Sequence, residues 1–489
     1  MDSKLILATV GIYSALLFVI VWLTSRKANN ESYFIGNRSS RWYLVAYGMI
    51  GASLSGVTFM SVPGAVFTTQ WSYLQVVLGY LLGYVVIAYV LMPVYYKLQL
   101  TSIYTYLEQR FGVVSYKTGS MFFIVSRVIG ASFRMYIVVN VLQTFVLDAW
   151  GFPFWATVLI FILLILLYTY EGGVKTIIYT DTLQTTFMLA ALVYCLYIII
   201  TQLNLSVDGL FTQMHASNYS TIFVTDKLSA NYFLKNIFGG MAIAIAMTGL
   251  DQEMMQKNLS CKNIKEAQKN MMSFAAVLLV VNILFLILGG ALCLYATSQG
   301  ITIDPTKTDN LFPTVALHYL GVVPAVIFLI GLISAAYPSA DGALTALTTA
   351  FCFDFLGIQK NKNLTEAQRK KTRYIVHGSF ALVLLLTIVL FRVINNDAVI
   401  RNVFTAASLT YGPLLGLYAF GFFTKYSIRD NYAWIPCVIS PILCWILRQN
   451  AAEWLGGYKI GFELLIINGL ITYLGLWLLA NGKNELGDR

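Results

Sequence analysis

Apolar residues in this chain run in blocks of about twenty, the length of helix that crosses a bilayer core, and polar segments divide the blocks. The short alternating segments of a β-barrel are missing from the pattern. Windowed hydropathy predicts about 13 spans, at 4–24, 43–66, 72–95, 118–146, 152–170, 178–202, 232–252, 271–297, 320–352, 374–394, 398–424, 432–448 and 460–481. Several exceed 25 residues, so tilted or interrupted helices are expected. The fold class is an all-α polytopic membrane protein, with residues 1–489 forming one transmembrane domain.

One span is a poor helix. Ala46 to Ala65 reads AYGMIGASLSGVTFMSVPGA, with Gly48, Gly51 and Gly56 weakening it and Pro63 expected to end it. Ser53, Ser55, Thr58 and Ser61 supply hydroxyls. Unwound backbone at membrane depth is tolerated only where it is buried in protein or lines a cavity. A glycine-interrupted apolar segment is therefore a pointer to a midplane binding site in a transporter. The competing reading is a tightly packed helix that uses small residues for close contact.

Composition narrows the class further. The 489 residues are 58% hydrophobic and only 11% charged, too apolar for a soluble fold. The net charge of +10 does not point to nucleic acid, because the 32 Lys and Arg concentrate in alternate loops. Arg26, Lys27, Arg38 and Arg41 lie in the first loop, four lysines lie in Lys257–Lys269, and six basic residues lie in Lys360–Arg373. This positive-inside bias puts the N-terminus outside and the C-terminus in the cytoplasm of a cell with the protein in its plasma (inner) membrane. Leu5 to Leu23 lacks a following cleavage site and reads as a retained helix. The six cysteines make no disulfide framework and the three histidines no metal motif. Thr101–Phe111 reads as a short amphipathic helix, and Leu203–Ser229 as a long polar segment with little helical periodicity.

Ionisable residues inside spans are functional candidates. Asp341 lies in ISAAYPSADGALTALTTAFC, followed at helical spacings by Thr345, Thr348, Thr349 and Cys352. Pro338 has no N–H to give the Ser334 carbonyl. That carbonyl, Ser339 and Asp341 make an all-oxygen group suited to a hard cation; the alternative is a proline kink with a paired aspartate. Asp181 starts the sixth predicted span, with Gln184 and Thr185 on its face, and also fits a helix N-terminal cap. Arg127 and Arg134 share a face about 10 Å apart, and either could hold an anion. Gln75, one turn inside the third span, is a candidate partner for a sugar or a carboxylate.

GASLSGVTFMSVPG (51–64), SRKANNESYFIGNRS (25–39), LTSIYTYLEQRFG (100–112) and YTYEGGVKTIIYTD (168–181) together resemble the sodium:solute symporter family, which includes sodium–glucose, proline and sialic acid transporters. The resemblance implies a leucine-transporter-type fold. Residues 42–202 and 231–424 would be inverted five-helix repeats, with 4–24 before them and two helices within 431–481 after them. FGGMAIAIAMTGLDQ then pairs with the glycine-broken second span and is itself glycine-interrupted.

The resemblance also assigns roles. A sodium site would use Gly51 and Leu54 with Ala335, Pro338 and Ser339; relatives usually carry serine at the Pro338 position. A second cation or coupling site would use Asp181 and Asp341, where relatives place serines opposite the aspartate. The substrate would meet Ser53, Ser55 and Thr58, with Arg127 or Arg134 and Gln75 beside them. The expected function is sodium-coupled symport of a small polar solute, an organic anion or sugar acid such as sialic acid. No enzyme activity, cofactor, nucleic acid or obligate protein partner is expected beyond one or two Na+. A neutral-sugar symporter and a solute sensor that does not transport are the alternatives.

Overall fold

The computed structural model describes residues 3–25, 40–359, 361, 363–394 and 399–483. Its main helices are α1 (Ser3–Ser25), α2 (Trp42–Ser53), α3 (Gly56–Thr69), α4 (Tyr73–Lys97), α5 (Val113–Leu142), α6 (Phe154–Gln202), α7 (Phe233–Gly249) and α8 (Gln252–Leu259). They continue with α9 (Ile264–Ser298), α10 (Val322–Ala350), α11 (Glu366–Ile394), α12 (Val399–Thr410), α13 (Gly412–Phe423), α14 (Trp434–Trp454) and α15 (Leu464–Leu478). Among the described residues seven helices are long and apolar enough to cross a membrane, or up to ten if each of three bent pairs counts as one span.

Two of the bends fall on glycine-rich stretches. α2 and α3 meet at 58°, with Leu54 and Ser55 extended between them (φ −84°, ψ 82° and φ −82°, ψ 179°). α7 and α8 meet at 64°, and Asp251 caps α8 by accepting from the amides of Glu253 and Met254 at 2.9 and 3.3 Å. The third bend, 42°, joins α12 to α13 at Tyr411. Pro63 does not end the run as expected: α3 continues through it to Thr69. Proline removes one backbone hydrogen bond, and a helix packed among others absorbs that loss.

Glycine also sets the closest packing. A Cβ on Gly240 of α7 would collide with the Val76 carbonyl of α4, and one on Gly79 with the Ile237 carbonyl, so each helix presents a glycine to the other's backbone. Small-residue contact of this kind is how helices associate where lipid offers no hydrophobic drive.

Helical backbone is found through all of α6, including the expected turn between spans 152–170 and 178–202. Even so, it is not straight. Phe161 and Phe187 would stand about 39 Å apart on a straight helix. Yet Phe161 meets Tyr337 at 6.0 Å, Tyr337 meets Tyr13 at 6.1 Å, and Tyr13 meets Phe187 at 5.9 Å between ring centroids. The segment therefore bends within its length.

The connecting segments gather at two ends. At one end Thr221 accepts from the Trp71 amide, Leu228 from the Lys459 amide, and Gly64 presses on the Thr308 carbonyl. At the other, Gln252 pairs with Ile103 and Thr101, Arg110 with Gly421 and Thr424, and Asp430 with Val114 and Ser115. The lysines of 262–269 belong to this second, basic end.

The polar segment 203–229 contains a helix the sequence did not suggest, Val207–Ala216, started by Ser206 accepting from Gly209. An antiparallel ribbon of Tyr426–Ile428 with Ala480–Lys483 adds the strands that an all-α expectation omits. The expected short helix near 101–111 is present as Thr105–Arg110. Of the basic motif 25–39, only Ser25 lies within the described residues.

Candidate substrate and cation site

The break between α2 and α3 opens onto a cavity of about 90 Å3. Ser53, Leu54, Ser55 and Thr58 of the broken helix form one wall. Arg127 and Arg134 of α5 line another, and Tyr73, Tyr80 and Tyr84 of α4 a third. Gly56 lets α5 come this close, since a Cβ there would strike the Val138 side chain. Thr248 of α7 and Asn282 of α9 complete the polar lining. Asn282 is buried and donates to the Leu278 carbonyl, while its own carbonyl oxygen has no partner among the described residues. A buried acceptor left unpaired costs about 1–3 kcal/mol, so a ligand hydroxyl there would restore a bond.

Toward the basic end the cavity floor is a network of buried charges. Arg127 pairs with Asp251 at 3.6 Å and with Glu253. Lys257 reaches Asp181 at 2.7 Å and Glu253 at 3.4 Å. Tyr411, at the third bend, donates to Asp251 at 2.6 Å. The network thus ties α5, α6, α8 and the α12–α13 joint together. Glu253 sits against α10 where Gly342 leaves room, because a Cβ on Gly342 would overlap its carboxylate.

Oxygen groups with no partner among the described residues lie near the same helices. Ser339 Oγ and Thr345 Oγ1 on α10 are buried without one, as is Asp181 Oδ1 on α6. Asp341 is fully buried and accepts from the Gly342 amide. Gly51 packs tightly on α6, where a Cβ would collide with Thr185 Oγ1. Tyr13 of α1 accepts from Ser334 at 2.9 Å beside Pro338. Hydroxyl, carboxylate and carbonyl oxygens are the donor set a sodium ion takes, and the orphaned Ser339 Oγ fits that use.

The sequence-chosen residues separate into groups. Ser53, Leu54, Ser55, Thr58, Arg127 and Arg134 come together at the cavity. Arg127 is engaged by Asp251 and Glu253, which leaves Arg134 as the lining cation with no carboxylate in ion-pair contact among the described residues. Gln75 is not brought to the cavity; it is fully buried and donates to the Ile222 carbonyl, anchoring the segment after α6. Asp181 is not an N-terminal cap, because helical backbone precedes it for many residues and its carboxylate faces Lys257. Sequence reasoning does not find Lys257, Glu253 and Asp251: it places Lys257 in a basic loop, whereas the residue is 2% exposed. The Glu253–Lys257 spacing of four, directly after a glycine-broken span, was the signal available.

A broken α2–α3 pair, a broken α7–α8 pair and a cavity between them define a transporter site, and comparison with known proteins decides which kind. The sodium:solute symporter family model matches residues 33–428. The chain belongs to the sodium:solute symporter family. It is a sodium-coupled membrane transporter. Among relatives of this symporter, the sodium/sialic acid symporter SiaT of Proteus mirabilis is 24% identical over 482 residues, covering 94% of this chain and 93% of the relative. The sodium/sialic acid symporter NanT of Aliivibrio fischeri is 25% identical, covering 94% and 90%. The human sodium/iodide cotransporter is 26% identical, covering 80% of this chain and 61% of the relative. A solved Na+-coupled sialic acid symporter, substrate-bound and outward-open, superposes with a TM-score of 0.83 at 20% identity, covering 97% of this chain and 98% of that one. The symporter therefore shares that fold across nearly its whole length.

Proposed function

We propose that this symporter imports a sugar acid carboxylate, of the sialic acid class, together with sodium by alternating access. The observation that carries the reading is the cavity itself: broken-helix hydroxyls at Ser53, Ser55 and Thr58, Arg134 opposite, and the orphaned Asn282 carbonyl. A carboxylate and several hydroxyls on one small solute would use all of them. The names of the SiaT and NanT relatives agree with it.

In this reading sodium is held by carbonyls of Gly51, Leu54, Ala335 and Pro338 with Ser339 Oγ, joining α2 to α10. Asp181 and Asp341 serve a second cation. The charge balance supports this. Counted with every group charged, Arg127, Arg134 and Lys257 are outnumbered by one by the buried Asp181, Asp251, Glu253 and Asp341. One sodium neutralises that excess, and a carboxylate substrate calls for another. One charge crossing 100 mV supplies about 2.3 kcal/mol, about 50-fold accumulation at roughly 1.4 kcal/mol per decade. A monoanion with a single sodium gains nothing from voltage, so the second cation makes transport electrogenic.

Three broken pairs, seven long spans and the apolar helices Ala8–Leu23, Phe154–Leu167 and Leu464–Leu478 support the thirteen-span, five-plus-five topology. With the basic end cytoplasmic, the Arg127–Asp251–Tyr411 and Glu253–Lys257–Asp181 network closes the inner side of the pocket. The N-terminus then lies outside.

Uptake of radiolabelled N-acetylneuraminate into proteoliposomes tests the function. An inward sodium gradient should drive accumulation, and an inside-negative potential should increase it. Accumulation that ignores the sodium gradient would refute the coupling, and uptake of neutral sugar with none of the acid would refute the substrate.

A further inference from the structure

Gln184 of α6 is fully buried, and neither its side-chain oxygen nor its nitrogen has a partner among the described residues. A carboxamide left unpaired at both ends inside a protein costs stability, and such a group is where a ligand finds its partner. α6 and α10 pack along their lengths, and two contacts fix their register. A Cβ on Gly331 would strike Ala191, and Glu253 lies against Gly342 while sharing Lys257 with Asp181. The two helices therefore run in opposite directions here. Gln184 lies seven residues before Ala191, and Pro338 seven after Gly331, so each stays on its partner's face about 10 Å along the helix. That register sets Gln184 opposite the Pro338–Ser339 step. Pro338 has no side-chain oxygen, and Ser339 Oγ is unpaired among the described residues. Asp181 Oδ1, one turn from Gln184 on α6, is unpaired in the same way. Carboxylate and carboxamide oxygens can only accept. Two acceptor-only oxygens and a hydroxyl thus gather where α6 meets α10.

We propose that Gln184 is a ligand of the sodium held between α2 and α10, its carboxamide oxygen supplying the side-chain donor that Pro338 lacks. The assignment rests on the sodium site proposed above and extends its ligand set to α6. Oε1 binds the cation, and Nε2 donates to Asp181 Oδ1, three residues back and a neighbour on the same helix surface. One side chain then satisfies both of its own unpaired ends and the carboxylate's, and it ties the first cation to the aspartate of the second. A neutral carbonyl oxygen is a donor that a hard cation accepts, and it adds no charge to the buried set counted above.

Thermal unfolding of the purified full-length symporter, titrated with sodium in the absence of solute and with choline holding the ionic strength constant, tests the assignment. Sodium should raise the wild-type midpoint, because it binds the folded state. Gln184→Met keeps the side chain's shape and removes both polar atoms. In choline it should unfold at the wild-type temperature or above, yet it should need about tenfold more sodium for half of the full stabilisation. Gln184→Glu puts an oxygen back and should stay close to the wild type in its sodium dependence. Wild-type sodium dependence in Gln184→Met overturns the assignment. So does a Gln184→Met protein that is less stable than the wild type in choline, since the carboxamide would then be a structural group. Gln184→Glu as weak for sodium as Gln184→Met overturns it too. Ser339→Ala, run alongside, separates this from the sodium site itself. A sodium shift in Ser339→Ala with none in Gln184→Met leaves that site standing without Gln184, whereas no shift in either variant sinks both.

Discussion

Replacing Lys257 with methionine removes the ammonium that stands 2.7 Å from Asp181 and 3.4 Å from Glu253, all three side chains being 3% exposed or less. At an effective dielectric of about 20, the nearer pair attracts by roughly 6 kcal/mol. Much of that offsets desolvation, so the net worth of the pair is far smaller. Breaking it from one side is another matter, because a buried charge is left behind, at a cost of about 3–5 kcal/mol. Lys257→Met should therefore destabilise the protein by about that amount, since Asp181 keeps no other cation among the described contacts. Asp181→Asn should cost less, because Lys257 retains Glu253. The double variant, with neither charge, should regain about 2 kcal/mol or more over the sum of the singles. Reversible unfolding in mixed micelles, arranged as a double-mutant cycle, measures the coupling. Singles that simply add would refute the claim that these groups form one buried pair.

Other outcomes follow from single contacts. Ser339→Ala removes an orphaned hydroxyl and should raise the sodium concentration for half-maximal uptake about tenfold, equivalent to about 1.4 kcal/mol, with little effect on folding. Arg134→Gln should weaken a carboxylate solute by about 2 kcal/mol while sparing its neutral ester, read by competition against uptake. Gly240→Val forces a side chain into the Val76 carbonyl and should cost about 3 kcal/mol or prevent insertion, seen as lost monodisperse protein.

The two broken helices were legible because glycine spacing is a local signal. Gly51 and Gly56 bracket the Leu54–Ser55 break, and GGMAIAIAMTG leads to the Asp251 break. The bend at Tyr411 carried no such mark until Gly412–Pro413 is seen opening the next helix. The charge network was not legible, since its members come from segments far apart in the chain. Glu253 and Lys257 follow an apolar run and average out in a hydropathy window, so they read as loop. Asp181 looked like a cap because hydropathy starts a new span at 178, whereas helical backbone runs through that point. Gln75 was misplaced for a simpler reason: depth along a helix does not reveal which face meets the cavity.

The account stands on sodium and solute sharing one site at the broken α2–α3 helix. Reciprocity tests that most directly. Calorimetric titration of N-acetylneuraminate with and without sodium, and of sodium with and without N-acetylneuraminate, should give the same factor of affinity increase, about tenfold or more, with Ser339→Ala reducing both together. Solute affinity that is equal in sodium and in choline would contradict it.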